Sequence, residues 1–129
     1  MDFFTIVLQS SQFSFQYPAK LAAAQASLRR VVQTMSQIYF NDKSIIEGGE
    51  ELERVYTDIK LVFYCFRYLQ NSYMNRENLQ TAVTAVKKLK QIVQELEKIR
   101  DRADMDDRLF LTVHVEKLSQ AVNDVTPDV

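Results

Sequence analysis

The sequence is poor in the residues that break helices and in those that build disulfides and metal sites. Its 129 residues include two glycines, two prolines, one cysteine and one histidine. All-β chains need turn residues far more often than this, so the scarcity of glycine and proline indicates an all-α fold. A single cysteine cannot form an internal disulfide, and with a single histidine it cannot complete a zinc site. We therefore predict no metal ion and no cofactor.

Long apolar runs and a strong charge imbalance are also missing. No stretch approaches the roughly 20 apolar residues that a membrane helix needs, so we predict no membrane partner and a cytoplasmic location. The net charge is −1, which argues against a surface built as a whole to hold nucleic acid. The length fits one domain spanning residues 1–129.

What the sequence does contain is apolar residues that recur at three- and four-residue steps. They predict helices over 18–41, 44–74, 76–102 and 106–124. Short connections between long helices favour antiparallel neighbours, so we expect a four-helix up-and-down bundle. Residues 1–17 are predicted to form an aromatic N-terminal arm or a short helix. The adjacent Gly48 and Gly49 would kink the second helix or delay its start.

Helix ends and inward faces are also readable. Asn75 is expected to cap the third predicted helix, and Asp104 or Asp106 the fourth. Ser44 and Glu47 have the spacing of a capping box. The apolar stripe of the second predicted helix extends to Tyr73, and that of the fourth is predicted to consist of Leu109, Phe110, Val113, Leu118, Ala121 and Val122.

The segment "LVFYCFRYL", residues 61–69, carries more apolar side chains than one bundle-facing stripe can use. Placed at 100° per residue, one set faces the bundle, and a second set lies opposite: Leu61, Tyr64, Cys65 and Tyr68. Either the aromatic arm covers this second stripe or the stripe is an interface with a protein partner. Cys65 is interpreted most simply as a small buried hydrophobe.

The third predicted helix carries a cluster of basic residues, and this cluster begins with Lys87, Lys88 and Lys90. Such a cluster can contact a polyanion such as RNA. Its members lie away from the apolar stripe, which is more typical of a solvated helix face. Nucleic acid is therefore the less favoured partner.

The segment "RLFLTVH", Arg108 to His114, has an arginine followed by five residues and a histidine. It resembles the Arg-x(4 to 6)-His motif of HEPN-domain ribonucleases, which act on RNA at a dimer interface. The resemblance implies acid or base chemistry at His114 and stabilisation of phosphate charge by Arg108. The plain alternative is a helix-end arginine and a partly buried histidine.

These patterns together predict a non-enzymatic helical interaction module, a small subunit or adaptor that associates with itself as a homodimer. Its interface would be formed by Leu61, Tyr64, Cys65 and Tyr68, with the two tyrosines as anchors. The alternative is an RNA-cleaving dimer that uses Arg108 and His114.

Overall fold

The computed structural model describes residues 2–9, 17–38 and 49–126, and these residues form five α-helices and no strand. They are α1 (Phe3–Gln9), α2 (Tyr17–Met35), α3 (Gly49–Gln70), α4 (Arg76–Arg102) and α5 (Met105–Asp124). The predicted all-α class is confirmed, and the five helices pack against one another. The start of the predicted arm forms a short helix.

Helix starts follow the capping rules that the sequence suggested. The side chain of Asn75 accepts from the backbone N–H of Asn78 at 2.8 Å, which confirms the predicted cap of α4. Asp104, rather than Asp106, caps α5 by accepting from the N–H of Asp107 at 3.0 Å. Each bond satisfies a backbone donor that has no partner within its own helix.

Several predicted helix boundaries differ from those in the structure. The helix predicted over 18–41 ends at Met35, where 3.1 Å and 3.2 Å bonds between residues three apart tighten the last turn. The helix predicted over 44–74 corresponds to α3, Gly49–Gln70, and ends four residues earlier than predicted; residues 44–48 lie outside the described residues. The capping box of Ser44 and Glu47, and the first glycine of the predicted hinge, lie outside the described residues.

Helices α2 to α5 form a ring of neighbours. Helix α3 packs between α2 and α4, and α5 packs between α4 and α2. The core between them is built mainly from the predicted stripes. Its largest fully buried side chains are those of Phe4, Leu28, Val31, Met35, Ile59, Phe66, Leu69, Leu79, Leu89, Ile92, Leu96 and Leu118.

Helix α1 uses the same two neighbours as α5, because it packs against α4 and α2. Phe4 and Val7 are buried in the common core. Asp2 caps this short helix by accepting from the N–H and the hydroxyl of Thr5, at 2.7 Å and 3.1 Å. The described part of the N-terminal arm is therefore held mainly by α2 and α4 and contributes to the core.

Polar contacts fix the helices relative to each other. On the surface, Arg102 of α4 pairs with Glu51 of α3 at 3.0 Å. At the α2–α5 contact, the buried hydroxyl of Ser27 donates to the backbone carbonyl of Asp124 at 2.7 Å, and Thr34 donates to the Asp124 carboxylate. These bonds satisfy groups at the end of α5, where the last carbonyls lack helical partners.

Candidate protein interaction surface

The outer side of α3 carries three large apolar side chains that no described part of the chain covers. Leu61, Tyr64 and Tyr68 are 62%, 59% and 69% exposed. We call these three residues the α3 face. They are spaced at i, i+3 and i+7, which places them along one side of a helix. The opposite side of the same helix is buried through Ile59, Val62, Phe66 and Leu69.

Cys65, the fourth residue predicted for this interface, has a different environment. Its side chain is half-buried and packs against the core. Burial raises the pKa of its thiol, because the thiolate is poorly solvated there. A neutral, partly covered thiol is a packing group and a poor nucleophile.

Cations border the α3 face. Arg54 lies about two turns before Leu61 on the same side of the helix, and Arg67 flanks Tyr64; both are exposed. The sequence from residue 59 to residue 76 contains no aspartate or glutamate. The nearest acid, Asp58, is bound to Lys88 of α4 at 3.3 Å. The surroundings of the α3 face are thus positively charged from its middle to the end of the helix.

The three lysines of the predicted basic cluster differ in their surroundings. Lys88 is bound to Asp58, whereas Lys87 and Lys90 are exposed on α4. Because residues one or two apart on a helix point in different directions, Lys88 can be turned toward α3 while Lys87 and Lys90 are not. Of the three lysines predicted to contact a polyanion, Lys87 and Lys90 are therefore the two that are exposed.

The structure places Arg108 and His114 in unlike environments. Arg108 is exposed, and its guanidinium donates to the backbone carbonyls of Ala103 and Asp101 at 3.2 Å and 3.4 Å. It thereby satisfies carbonyls at the end of α4. His114 is only 6% exposed, and its Nδ1 lies 2.5 Å from the hydroxyl of Tyr56.

Burial dominates the chemistry of His114. Its ring packs edge-on against Tyr56 and Phe110, with ring centroids 5.6 Å and 4.3 Å away. Burial lowers the pKa of His114 and raises the pKa of Tyr56, because the charged form of each is poorly solvated. Near neutral pH the pair is uncharged and hydrogen-bonded, as expected for polar groups inside a helical core.

A second exposed apolar set, which the sequence reasoning missed, lies on α5. Met105, Leu109 and Val113 are 77%, 66% and 54% exposed, at i, i+4 and i+8. We call these three residues the α5 face. The prediction that Leu109 and Val113 face the core is wrong. The core side of α5 is formed instead by Leu111, His114, Val115, Leu118 and Ala121.

The helical wheel contained the signal for this face. Leu109 and Val113 lie more than 120° around the helix from the mean direction of the five core residues. For α3 the sequence predicts two apolar sets on opposite sides. For α5 the prediction places Leu109 and Val113 in a single core-facing stripe. His114 lies in the middle of the core side of α5, where an apolar residue is expected. The sequence therefore does not indicate this side of the helix as the buried one.

Tyr73 also departs from the predicted core. It lies beyond the end of α3 and is 89% exposed. The chain turns at residues 71–75, where the side-chain amide of Asn78 donates to the Tyr73 carbonyl at 2.6 Å. Because α3 ends at Gln70, the helical spacing that pointed Tyr73 inward no longer applies.

Other kinds of site receive no support from the described residues. No group of three or more histidine, cysteine, aspartate or glutamate side chains is arranged there to hold a metal ion. None of the five helices is both long enough and apolar enough to cross a membrane, over the part of the chain that the structure describes.

Comparisons with protein-family models, with curated proteins and with solved structures find no match to this chain.

Proposed function

We propose that this protein is a non-enzymatic helical interaction module, a small cytoplasmic subunit or adaptor that associates with itself through the α3 face. The observation that carries the proposal is the exposure of Leu61, Tyr64 and Tyr68 side by side on a well-packed helix. Grouped apolar side chains on the surface of a soluble protein are typical of interfaces. A homodimer is the simplest assembly that covers them.

The composition of the α3 face suits an interface. Tyrosine is enriched in interface cores because it combines a large apolar ring with a polar tip and has few rotatable bonds. Removing a leucine-sized side chain from water contributes roughly 1.5–3 kcal/mol. Three such groups with an arginine rim are an arrangement in which a few residues carry most of the binding energy.

The proposal includes the finer architecture predicted from the sequence, in which α2 to α5 run up and down as a four-helix bundle. The pair Arg102–Glu51 joins the end of α4 to the start of α3. Lys117 of α5 donates to Gln37, just after α2, at 2.8 Å, while Asp124 meets Ser27. These contacts support an antiparallel arrangement of both pairs of helices.

The experiment replaces Tyr68 by aspartate. A carboxylate within an apolar contact would have to lose its hydration, so we expect the dissociation constant to rise by about 30-fold, equivalent to about 2 kcal/mol. Light scattering across a range of concentrations measures the assembly, and far-UV circular dichroism checks that the helices remain.

A matched control is Gln91→Asp, which adds the same charge at an exposed position on α4. It should associate as the wild-type protein does. Equal association of the Tyr68→Asp variant and the wild type would remove the α3 face as the interface. A wild-type protein that stays monomeric at all concentrations would remove self-association altogether.

RNA cleavage by Arg108 and His114 stays an alternative prediction, without an observation that favours it. It would require His114 to leave a buried position and Arg108 to release the carbonyls of α4. Incubation with a mixed RNA pool tests it. Cleavage that is lost in both Arg108→Ala and His114→Ala, with the fold retained, would establish the alternative.

A further inference from the structure

The α5 face is the second large apolar surface of this molecule, and the proposed function does not use it. Helix α5 packs against α4 and α2 through its other side. Met105, Leu109 and Val113 extend for two turns along its outer side. Exposed apolar patches on small proteins are typical of interaction surfaces, and this applies to the α5 face as it does to the α3 face.

The surroundings of the α5 face are acidic. Asp106 and Glu116 lie on the same side of the helix as Leu109, and both are exposed. Two cations also lie near this side, and each is bonded to a neutral acceptor. Arg108 is bonded to carbonyls of α4, and Lys117 to the side chain of Gln37.

The α3 and α5 faces therefore match each other in chemistry. Each is a line of three large apolar side chains, and the charge of the surrounding sequence differs in sign: residues 59–76 contain three cations and no acid, whereas residues 104–117 contain four acids and two cations. Apolar surfaces with rims of opposite charge attract at a distance and exclude water on contact.

The two faces cannot meet within one copy. Each of α3 and α5 lies between α2 and α4 in the ring of neighbours, so their outer sides point away from each other. We propose that the α3 face of one copy docks onto the α5 face of a second copy. The partner is thus this chain itself, and the contact joins two different surfaces.

Pairing of two α3 faces about a two-fold axis is the competing geometry. It would bring together residues 59–76 of both copies, which contain cations and no acid, and like charges close together disfavour association. A contact between the α3 face of one copy and the α5 face of the other avoids this repulsion. It leaves one α3 face and one α5 face of the pair uncovered. Such contacts produce a closed ring or an open chain.

This inference rests on the proposed function, since it requires self-association through the α3 face. The test uses two variants, Tyr68→Asp and Leu109→Asp, each of which places a charge within one face. Both positions are well exposed, so the helices should remain intact, as circular dichroism would verify. The milder variants Tyr68→Ser and Leu109→Ser serve if either aspartate reduces helicity.

We expect each variant alone to associate at least tenfold more weakly than the wild type. Mixed in equal amounts, the two variants should form a dimer with one copy of each and no larger species. The Leu109→Asp copy keeps its α3 face and the Tyr68→Asp copy keeps its α5 face, so one contact of the proposed kind remains. Light scattering after size-exclusion chromatography, with one variant carrying a mass tag, identifies this dimer.

The outcomes separate this inference from the proposed function. If Leu109→Asp associates like the wild type and the mixture yields no mixed dimer, the α3 faces pair with each other and the inference is overturned while the proposed function stands. If the wild type does not associate, both are overturned. Association that does not weaken with added salt would contradict the charged rims.

Discussion

The buried pair formed by Tyr56 and His114 allows a quantitative prediction. Replacing Tyr56 by phenylalanine removes one hydroxyl and leaves the ring in place. Whichever of the two groups donates, Nδ1 of His114 loses its 2.5 Å partner in a position closed to water. A buried polar atom left without a partner costs about 1–3 kcal/mol.

Urea unfolding followed by far-UV circular dichroism measures this cost. With a slope of about 2 kcal/mol per molar urea, typical of a small domain, a loss of about 2 kcal/mol lowers the midpoint by about 1 M. A low protein concentration keeps association from adding to stability. The matched control is Tyr73→Phe, whose ring is almost fully exposed and whose free energy of unfolding should change by less than about 0.5 kcal/mol.

A double-mutant cycle isolates the pair. His114→Leu leaves the Tyr56 hydroxyl buried and unpaired, whereas the double variant removes both polar groups. The double variant should be more stable than the sum of the single effects implies, by about 1 kcal/mol or more. The reasoning is refuted if Tyr56→Phe unfolds at the same urea concentration as Tyr73→Phe.

Three further predictions concern pH, capping and thiol reactivity. Because burial lowers the folded pKa of His114 below its ordinary value of 6.5, the unfolded chain takes up this proton first. The free energy of unfolding should therefore be unaffected by this group above about pH 6.5, and below that pH it should fall by at most about 1.4 kcal/mol per pH unit. Urea midpoints should fall less steeply with decreasing pH in His114→Gln than in the wild type. Equal slopes would contradict this. Asn75→Ala should lower the free energy of unfolding by about 1 kcal/mol through loss of the cap of α4, whereas Asn75→Ser, which can still cap, should stay close to wild type. Cys65 should react with a disulfide reagent more slowly in the folded protein than in urea, because burial raises its pKa and covers part of the thiol; equal rates would show that the thiol is not protected.

The sequence predicts those parts of this fold that depend on local chemistry. The lack of glycine and proline indicated helices, Asn75 caps α4 as expected, and the apolar stripe of α4 from Leu79 to Ile99 faces the core throughout. Each of these depends on residues within a few positions of each other, so helical spacing is sufficient to find them.

The errors lie where a distant helix decides the outcome. His114 belongs to the core because Tyr56, 58 residues away, supplies a hydrogen-bond partner. Once that side of α5 is turned inward, Leu109 and Val113 must point outward. On α3 the exposed set was recognised from the sequence, since Leu61, Tyr64 and Tyr68 lie opposite an equally clear buried set.

The bonds from Ser27 and Thr34 to Asp124 have a consequence for the order of folding. They join residues 97 and 90 positions apart, whereas α3 meets α4, and α4 meets α5, across connections of a few residues. Closing a long loop costs more chain entropy than closing a short one. We therefore expect α3, α4 and α5 to assemble first and α2 to dock on α5 after the rate-limiting step. Thr34→Ala should then speed unfolding and leave the folding rate unchanged, giving a φ-value near zero, and a φ-value near one would place α2 in the folding nucleus.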